Sequence, residues 1–376
     1  MARKLKSDKF LFTAMLLLVC TSVVMVYSAS AVVLEQKGQS AYLLLFKQGT
    51  FALLGLFIVQ LIMRVDYRNY RQPVVIWTGL IVVGLALVAV LFGRQVNGAS
   101  RWLNIGPFGM QPSELAKIIM IVFIAALLER RMERIDEPAS VLLPIGAVLG
   151  SIVLLILLEP DLGTAASIVV IAGVMIFAGG ISYRYIAVLG ALAVPALYFL
   201  LQVDYRWRRV EAFLHPWADP LGDSYQMIQS MISVGVGGVF GRGLMDGVQK
   251  LFYLPEPHND FIYAVLSEEL GLIGATVVLA CFCVITWRGL RTSMRAPDRF
   301  GAFLALGLTT MVAFQAFFNI SVVLGLLPTK GIPLPFVSYG GSSLLINLIG
   351  MGILLNVSQH ASTPHVVTMA LPTANA

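Results

Sequence analysis

The chain has 376 residues, of which 58% are hydrophobic and only 12% charged, with a mean hydropathy of +0.84 and a net charge of +6. A soluble globular protein carries about 25% charged residues, which excludes a soluble multi-domain organisation. The basic residues form no continuous face suited to nucleic acid.

Apolar runs of about 20 residues, the length that crosses a bilayer, recur from end to end, so a single membrane domain over 1–376 is expected. The first run, Phe10 to Ala29, follows a basic start of Arg3, Lys4, Lys6 and Lys9. It is longer than the apolar core of a secretory signal and reads as a retained helix that starts inside. Ten spans are expected, at about 10–30, 42–63, 74–92, 112–129, 139–158, 162–180, 184–201, 259–287, 302–326 and 338–358. With the N-terminus inside, the cytoplasmic segments hold fifteen of the 26 basic residues, against five in the short outer loops. The excess of Lys and Arg on one side sets both termini in the cytoplasm. Cys20, Cys281 and Cys283 all lie within apolar runs and read as packing residues.

One outer loop, at about 202–258 between the seventh and eighth spans, is too long for a bare connection and needs structure or function of its own. It contains Trp207, Trp217 and Tyr225, then an apolar, glycine-bearing stretch from Met227 to Leu244. One or two amphipathic helices at the outer interface are expected there. The polar tail at about 359–376 lacks the apolar content of an ordered element, and no internal repeat supports an inverted-repeat transporter.

Ionisable residues in or beside membrane spans are expensive and point to function. Four clusters stand out, all on the outer side. The first joins Asn97-Gly98-Ala99-Ser100-Arg101-Trp102 to Gln111-Pro112-Ser113-Glu114, with Lys117 three residues on. Pro112 suits a first helical turn. Glu114 and Lys117 share a face, as a simple pair or as one wall of a cavity. The second is Glu159-Pro160-Asp161, where Asp161 suits a helix N-cap but Glu159 has no such explanation. The third runs from Leu251 to Glu269 and holds His258, Asn259, Asp260, Glu268 and Glu269. Either Asn259 or Asp260 could serve as a cap. Glu268, about 12 Å below the helix mouth, needs a partner, and Lys117 is one candidate. The fourth, Leu327 to Ser343, is dense in glycine and proline and carries Lys330 and Ser338. Irregular backbone at that depth is tolerated only when buried in protein or lining a wet cavity. Close helix packing is the alternative reading of its small residues.

Together these clusters resemble the SEDS family, the shape, elongation, division and sporulation proteins represented by FtsW, RodA and SpoVE. The resemblance covers nearly the whole chain. Leu251-Phe252-Tyr253-Leu254-Pro255-Glu256 and Pro328-Thr329-Lys330-Gly331 are closer to the division branch, that of FtsW. Asn259 departs from the family's usual threonine.

The resemblance implies an all-α integral membrane fold in the cytoplasmic (inner) membrane. The implied activity is that of a peptidoglycan glycosyltransferase, polymerising lipid II at the outer face during septal wall synthesis. The family's essential aspartate carries over to Asp260, its outer-loop tryptophan to Trp102, and its glutamate and lysine of the fourth span to Glu114 and Lys117. The implied partners are lipid II, a class B penicillin-binding protein acting as transpeptidase, and other division-complex membrane proteins. The chemistry needs a base for the acceptor's 4-hydroxyl, for which Asp260 is the candidate. It also needs positive charge for a departing lipid diphosphate, from Arg101, Lys117, Lys330, a loop arginine such as Arg208, or a divalent cation, Mg or Mn. No resident metal ligands can be named. His258, Glu159, Glu268 and Ser338 are candidate supporting residues. The alternatives are a lipid II flippase, which needs matching polar surface on the cytoplasmic half, and a non-catalytic division scaffold, which needs neither Asp260 nor Glu114.

Overall fold

A computed structural model describes residues 7–93, 101–105, 108–134, 137, 139–251 and 253–361. Asn97 to Ser100 of the first cluster, Phe252 of the third and the tail beyond 361 lie outside the described residues. The chain is helical apart from one short hairpin. In order come α1 (Lys9–Gln36), α2 (Leu43–Ile62), α3 (Pro73–Leu91), β1 (Leu103–Ile105), β2 (Phe108–Met110), α4 (Pro112–Arg131), α5 (Leu142–Leu158) and α6 (Leu162–Ala178). Then follow α7 (Tyr183–Leu201), α8 (Asp204–Leu214), α9 (Tyr225–Gly237), α10 (Ile262–Arg295), α11 (Arg299–Val323) and α12 (Gly341–His360). Two 3₁₀ turns, Tyr67–Arg71 and Met132–Arg134, follow α2 and α4.

Among the described residues, each stretch expected to span carries a helix. Six of these helices, α1, α2, α3, α10, α11 and α12, are long and apolar enough to cross a membrane by length and composition. The long loop contains two helices, α8 and α9, while the β1–β2 hairpin was not anticipated. Its register pairs Leu103 with Met110, which carries the chain from Trp102 back to the start of α4. Pro112 opens α4 at a position where the missing N–H has no helical acceptor to lose.

The centre of the bundle is formed by α4, α11 and α12, buried on most of their faces, with α1, α2, α3, α6 and α10 packed around them. At one end of the bundle, polar side chains tie helix ends together. Asn356 of α12 donates to the carbonyls of Ile62 and Met63 at 3.1 Å and accepts the Tyr67 N–H. The Tyr67 hydroxyl and the Arg68 guanidinium both donate to Asp298, at 2.6 and 3.0 Å. Asp8 accepts two N–H groups at the start of α1 and pairs with Arg288 of α10.

The other end is organised by a break in α10. Gly271 has φ +66°, and the helix cannot make its own bonds across it. The segment after α9 makes them instead. The N–H groups of Arg242 and Gly243 donate to the carbonyls of Glu268 and Glu269, at 3.0 and 3.1 Å. The carbonyls of Gly238 and Val239 accept the N–H groups of Leu272 and Ile273, at 2.9 and 3.3 Å. Only glycine allows this approach, since a Cβ at Gly241 would lie 2.1 Å from the Glu269 carbonyl oxygen. Side chains lock the insertion. Glu268 accepts the N–H groups of Val248 and Gln249, at 2.8 and 3.1 Å, and Glu269 accepts that of Met245 at 3.0 Å. Lys250 lies 2.6 Å from Glu269, and Ser28 of α1 donates to the same carboxylate at 2.6 Å.

Glu268 is thus held by the inserted loop, not by Lys117, whose ammonium is 2.8 Å from Glu114. The reason is local geometry: Glu114 lies one helical turn from Lys117, so that pair closes within α4.

Because Lys250 and Glu269 are buried at 3% and 0% side-chain exposure, removing one partner leaves an uncompensated charge. Lys250→Met alone is expected to destabilise the chain by about 3–5 kcal/mol. The double variant Lys250→Met/Glu269→Gln should recover much of that loss, read as thermal unfolding midpoints in detergent.

Candidate active site

At the end of the bundle that carries the four clusters lies a cavity of about 450 Å³. Its wall is assembled from the segments before β1 and α6, from α8, from the turn before α10, and from the loop between α11 and α12. Three carboxylates line it, Asp161, Glu256 and Asp260, facing four cations, Arg101, Arg206, Arg209 and Lys330. Trp102, Gln226 and Thr329 add polar or aromatic surface.

Asp260 sits in the turn just before α10 and lines the cavity. Burial, reinforced by the charge of Glu256, pushes its pKa up to about 6 against the pull of Arg209 and Arg101. Lys330 is pulled down to about 8, first by burial and then by Arg206 and Arg209. A carboxylate held near neutrality among cations is suited to take up and release a proton.

The remaining expected residues divide into those in the wall and those behind it. Arg101 and Trp102 line the cavity. Arg101 is fixed by donating to the carbonyls of Glu159 and Pro160, at 3.2 and 2.6 Å. Asp161 is both lining residue and N-cap of α6, accepting from the Thr164 N–H and hydroxyl and from Gln111. Glu159 lies behind it, fully buried with neither carboxylate oxygen partnered among the described residues. Burial and the neighbouring Asp161 raise its pKa to about 8, opposed by Arg101, so at neutral pH it is largely a neutral acid.

His258 does not line the cavity. Its ring meets Tyr339 edge-on, its Nε2 lies 3.6 Å from Glu256, and burial lowers its pKa. Ser338 is a staple, donating to the Asn259 carbonyl at 2.7 Å and accepting the Leu334 N–H at 2.8 Å. Glu114 and Lys117 form a buried pair between α4 and α12, where Ser343 approaches Glu114 at 3.4 Å. None of Glu114, Lys117 and Glu268 reaches the cavity wall.

Of the loop arginines, Arg208 lies outside the wall, whereas Arg206 and Arg209 line it. Residues three apart share a helix face and Arg208 falls off it, so placing α8 as a helix would have separated them. Among the described residues no three His, Cys, Asp or Glu side chains converge as a set that could hold a metal ion.

Comparison with known proteins gives one answer. Residues 8–363 match the model of the FtsW/RodA/SpoVE cell cycle proteins. The chain is 46% identical over 343 residues to a probable peptidoglycan glycosyltransferase FtsW of Geobacter sulfurreducens, covering 91% of this chain and 92% of that protein. It is 42% identical over 365 residues to stage V sporulation protein E of Bacillus subtilis, covering 96% and 99%. Among solved structures, it superposes on a chain of a peptidoglycan synthase complex with a TM-score of 0.78 at 31% identity, covering 94% and 97%. The rod shape determining protein RodA of Thermus thermophilus gives a TM-score of 0.70 at 26% identity, covering 95% and 98%. The chain belongs to the FtsW/RodA/SpoVE family.

Proposed function

We propose that the protein is a peptidoglycan glycosyltransferase that polymerises lipid II at the outer face of the cytoplasmic membrane, in septal wall synthesis during division. The observation that carries this reading is the carboxylate of Asp260, recessed in the wall of a cavity where four cations face three carboxylates. The relatives named as glycosyltransferases support it. In this reading the ten long helices all cross the membrane and both termini are cytoplasmic. The synthase complex among the structural relatives supports a partner for crosslinking, a class B penicillin-binding protein, alongside other division proteins.

Mechanistically, Asp260 accepts the proton of the acceptor's 4-hydroxyl as its oxygen attacks the donor's anomeric carbon. The bond to the lipid diphosphate breaks on the opposite face, so the configuration inverts and no enzyme nucleophile is needed. Arg206, Arg209, Arg101 and Lys330 neutralise the departing diphosphate, where fixed cations act with no reorganisation during the reaction. Trp102 offers an aromatic wall for a sugar face. A divalent cation such as Mg or Mn, if bound with the substrate, would add positive charge for the departing diphosphate.

Three outcomes follow for purified protein given labelled lipid II. Asp260→Asn should lower the polymerisation rate by at least about 100-fold, the size of a lost general base. A near-normal rate would exclude the base role, and translocation without polymer would favour the flippase.

The rate should be bell-shaped in pH. Asp260 works ionised, so activity falls as pH drops through about 6. Lys330 works protonated, so activity falls again as pH rises through about 8. Lys330→Arg should move the alkaline limb upward.

Arg206→Ala and Arg209→Ala should each reduce kcat/KM by at least about 10-fold, the effect of a lost charge-assisted bond. Arg208→Ala, outside the cavity wall, should stay within about twofold of the parent. Equal effects at all three positions would contradict the cavity geometry.

A further inference from the structure

Asp260 and Lys330 belong to segments far apart in the chain, and both segments are irregular. Something must set the distance between them. Two independent observations identify the device. Asn319, near the end of α11 and 1% exposed, uses both N–H groups of its amide: one donates to the carbonyl of Asp260 at 2.8 Å, the other to that of Ile332 at 2.8 Å. The amide orientation is unambiguous, because the flipped form would set its oxygen against two carbonyl oxygens. The Asp260 carbonyl is free to accept because the Ala264 N–H, its usual helical partner, turns to Phe261 instead.

The second observation is Gly331, whose Cβ, if it had one, would lie 3.1 Å from an Asp260 carboxylate oxygen. The Lys330 loop therefore runs close against the carboxylate, leaving a side chain at 331 only a tight fit. The Asn319 amide ties the same two segments from below. Its own Oδ1 has no partner among the described residues, so the side chain is kept in a buried place for what it donates.

We infer that Asn319 is a positioning residue for the proposed reaction, a clamp in the membrane helix beneath the cavity that fixes the Asp260 turn against the Lys330 loop. It touches no substrate and lines no part of the cavity. The inference rests on the reading of Asp260 as base and Lys330 as diphosphate cation, but the clamp itself has a readout that does not.

The test uses the full chain in lipid nanodiscs, as wild type, Asn319→Leu and Asn319→Asp. Both variants keep roughly the size of the side chain and lose the paired donors. A misplacement of about 1 Å lowers rates by on the order of 100-fold. The expected result is a fall of that order in kcat on labelled lipid II, with KM within about twofold. Hydrogen–deuterium exchange should rise in the segments 255–262 and 328–333 and stay unchanged in the central part of α11. Unchanged kcat, unchanged exchange in those segments, or a change in KM alone would overturn the clamp. Gly331→Ala provides a second perturbation without removing the buried amide, and should lower kcat to a comparable extent. Loss of polymerisation in the wild type itself would sink the functional reading, and the exchange measurement would still decide the clamp.

Discussion

A membrane helix that bends sharply must find partners for the backbone groups it releases, because lipid offers none. Here the release occurs at Gly271 in α10, and the segment from Gly238 to Gly243 closes it with four backbone bonds. The loop that leads to the cavity depends on that exchange. It anchors the second half of the long loop on the helix that Asp260 precedes. Glu268 and Glu269 then hold the stretch from Met245 to Lys250, which leads directly into the cavity wall at Pro255 and Glu256. The carboxylates that look like active-site acids in the sequence are the fasteners of this loop.

The cavity combines two kinds of support. Its rim is made of short irregular segments, each free to place a side chain where a regular helix could not. Its floor is made of rigid buried helices, and side-chain amides and hydroxyls cross from one to the other. Asn319 reaches up from α11, Ser338 ties the loop before α12 to Asn259, and Asp161 joins α6 to Gln111. The outcome is a set of charges held in fixed relation on a scaffold of buried helices. Preorganisation of this kind is what an acid–base step next to a leaving diphosphate requires.

Much of this was legible beforehand. The positions of the long helices followed from apolar runs, and the four polar clusters stood out because ionisable groups are rare against that background. Arg101, Trp102, Asp260 and Lys330 all line the cavity. What could not be read was pairing across distance. Glu268 and Lys117 seemed complementary because both were charged at membrane depth, yet each has a nearer partner. Lys250 carried no signal, since an isolated lysine in a loop does not announce a buried carboxylate. Arg206 and Arg209 were hidden because the helices expected in their loop had no bounds, so no face could be drawn through them. The break at Gly271 was invisible for another reason: one glycine in a long apolar run is ordinary in a membrane helix.

The exchange at Gly271 also bears on how the chain is made. The inserted segment is synthesised before α10, and in the proposed topology it already lies outside the membrane when α10 begins to insert. Leu272 and Ile273 are exposed on the surface of α10, yet their N–H groups bond to the carbonyls of Gly238 and Val239. A later helix that bends here thus draws on a partner already made, and shows no unpaired donor to lipid at the bend.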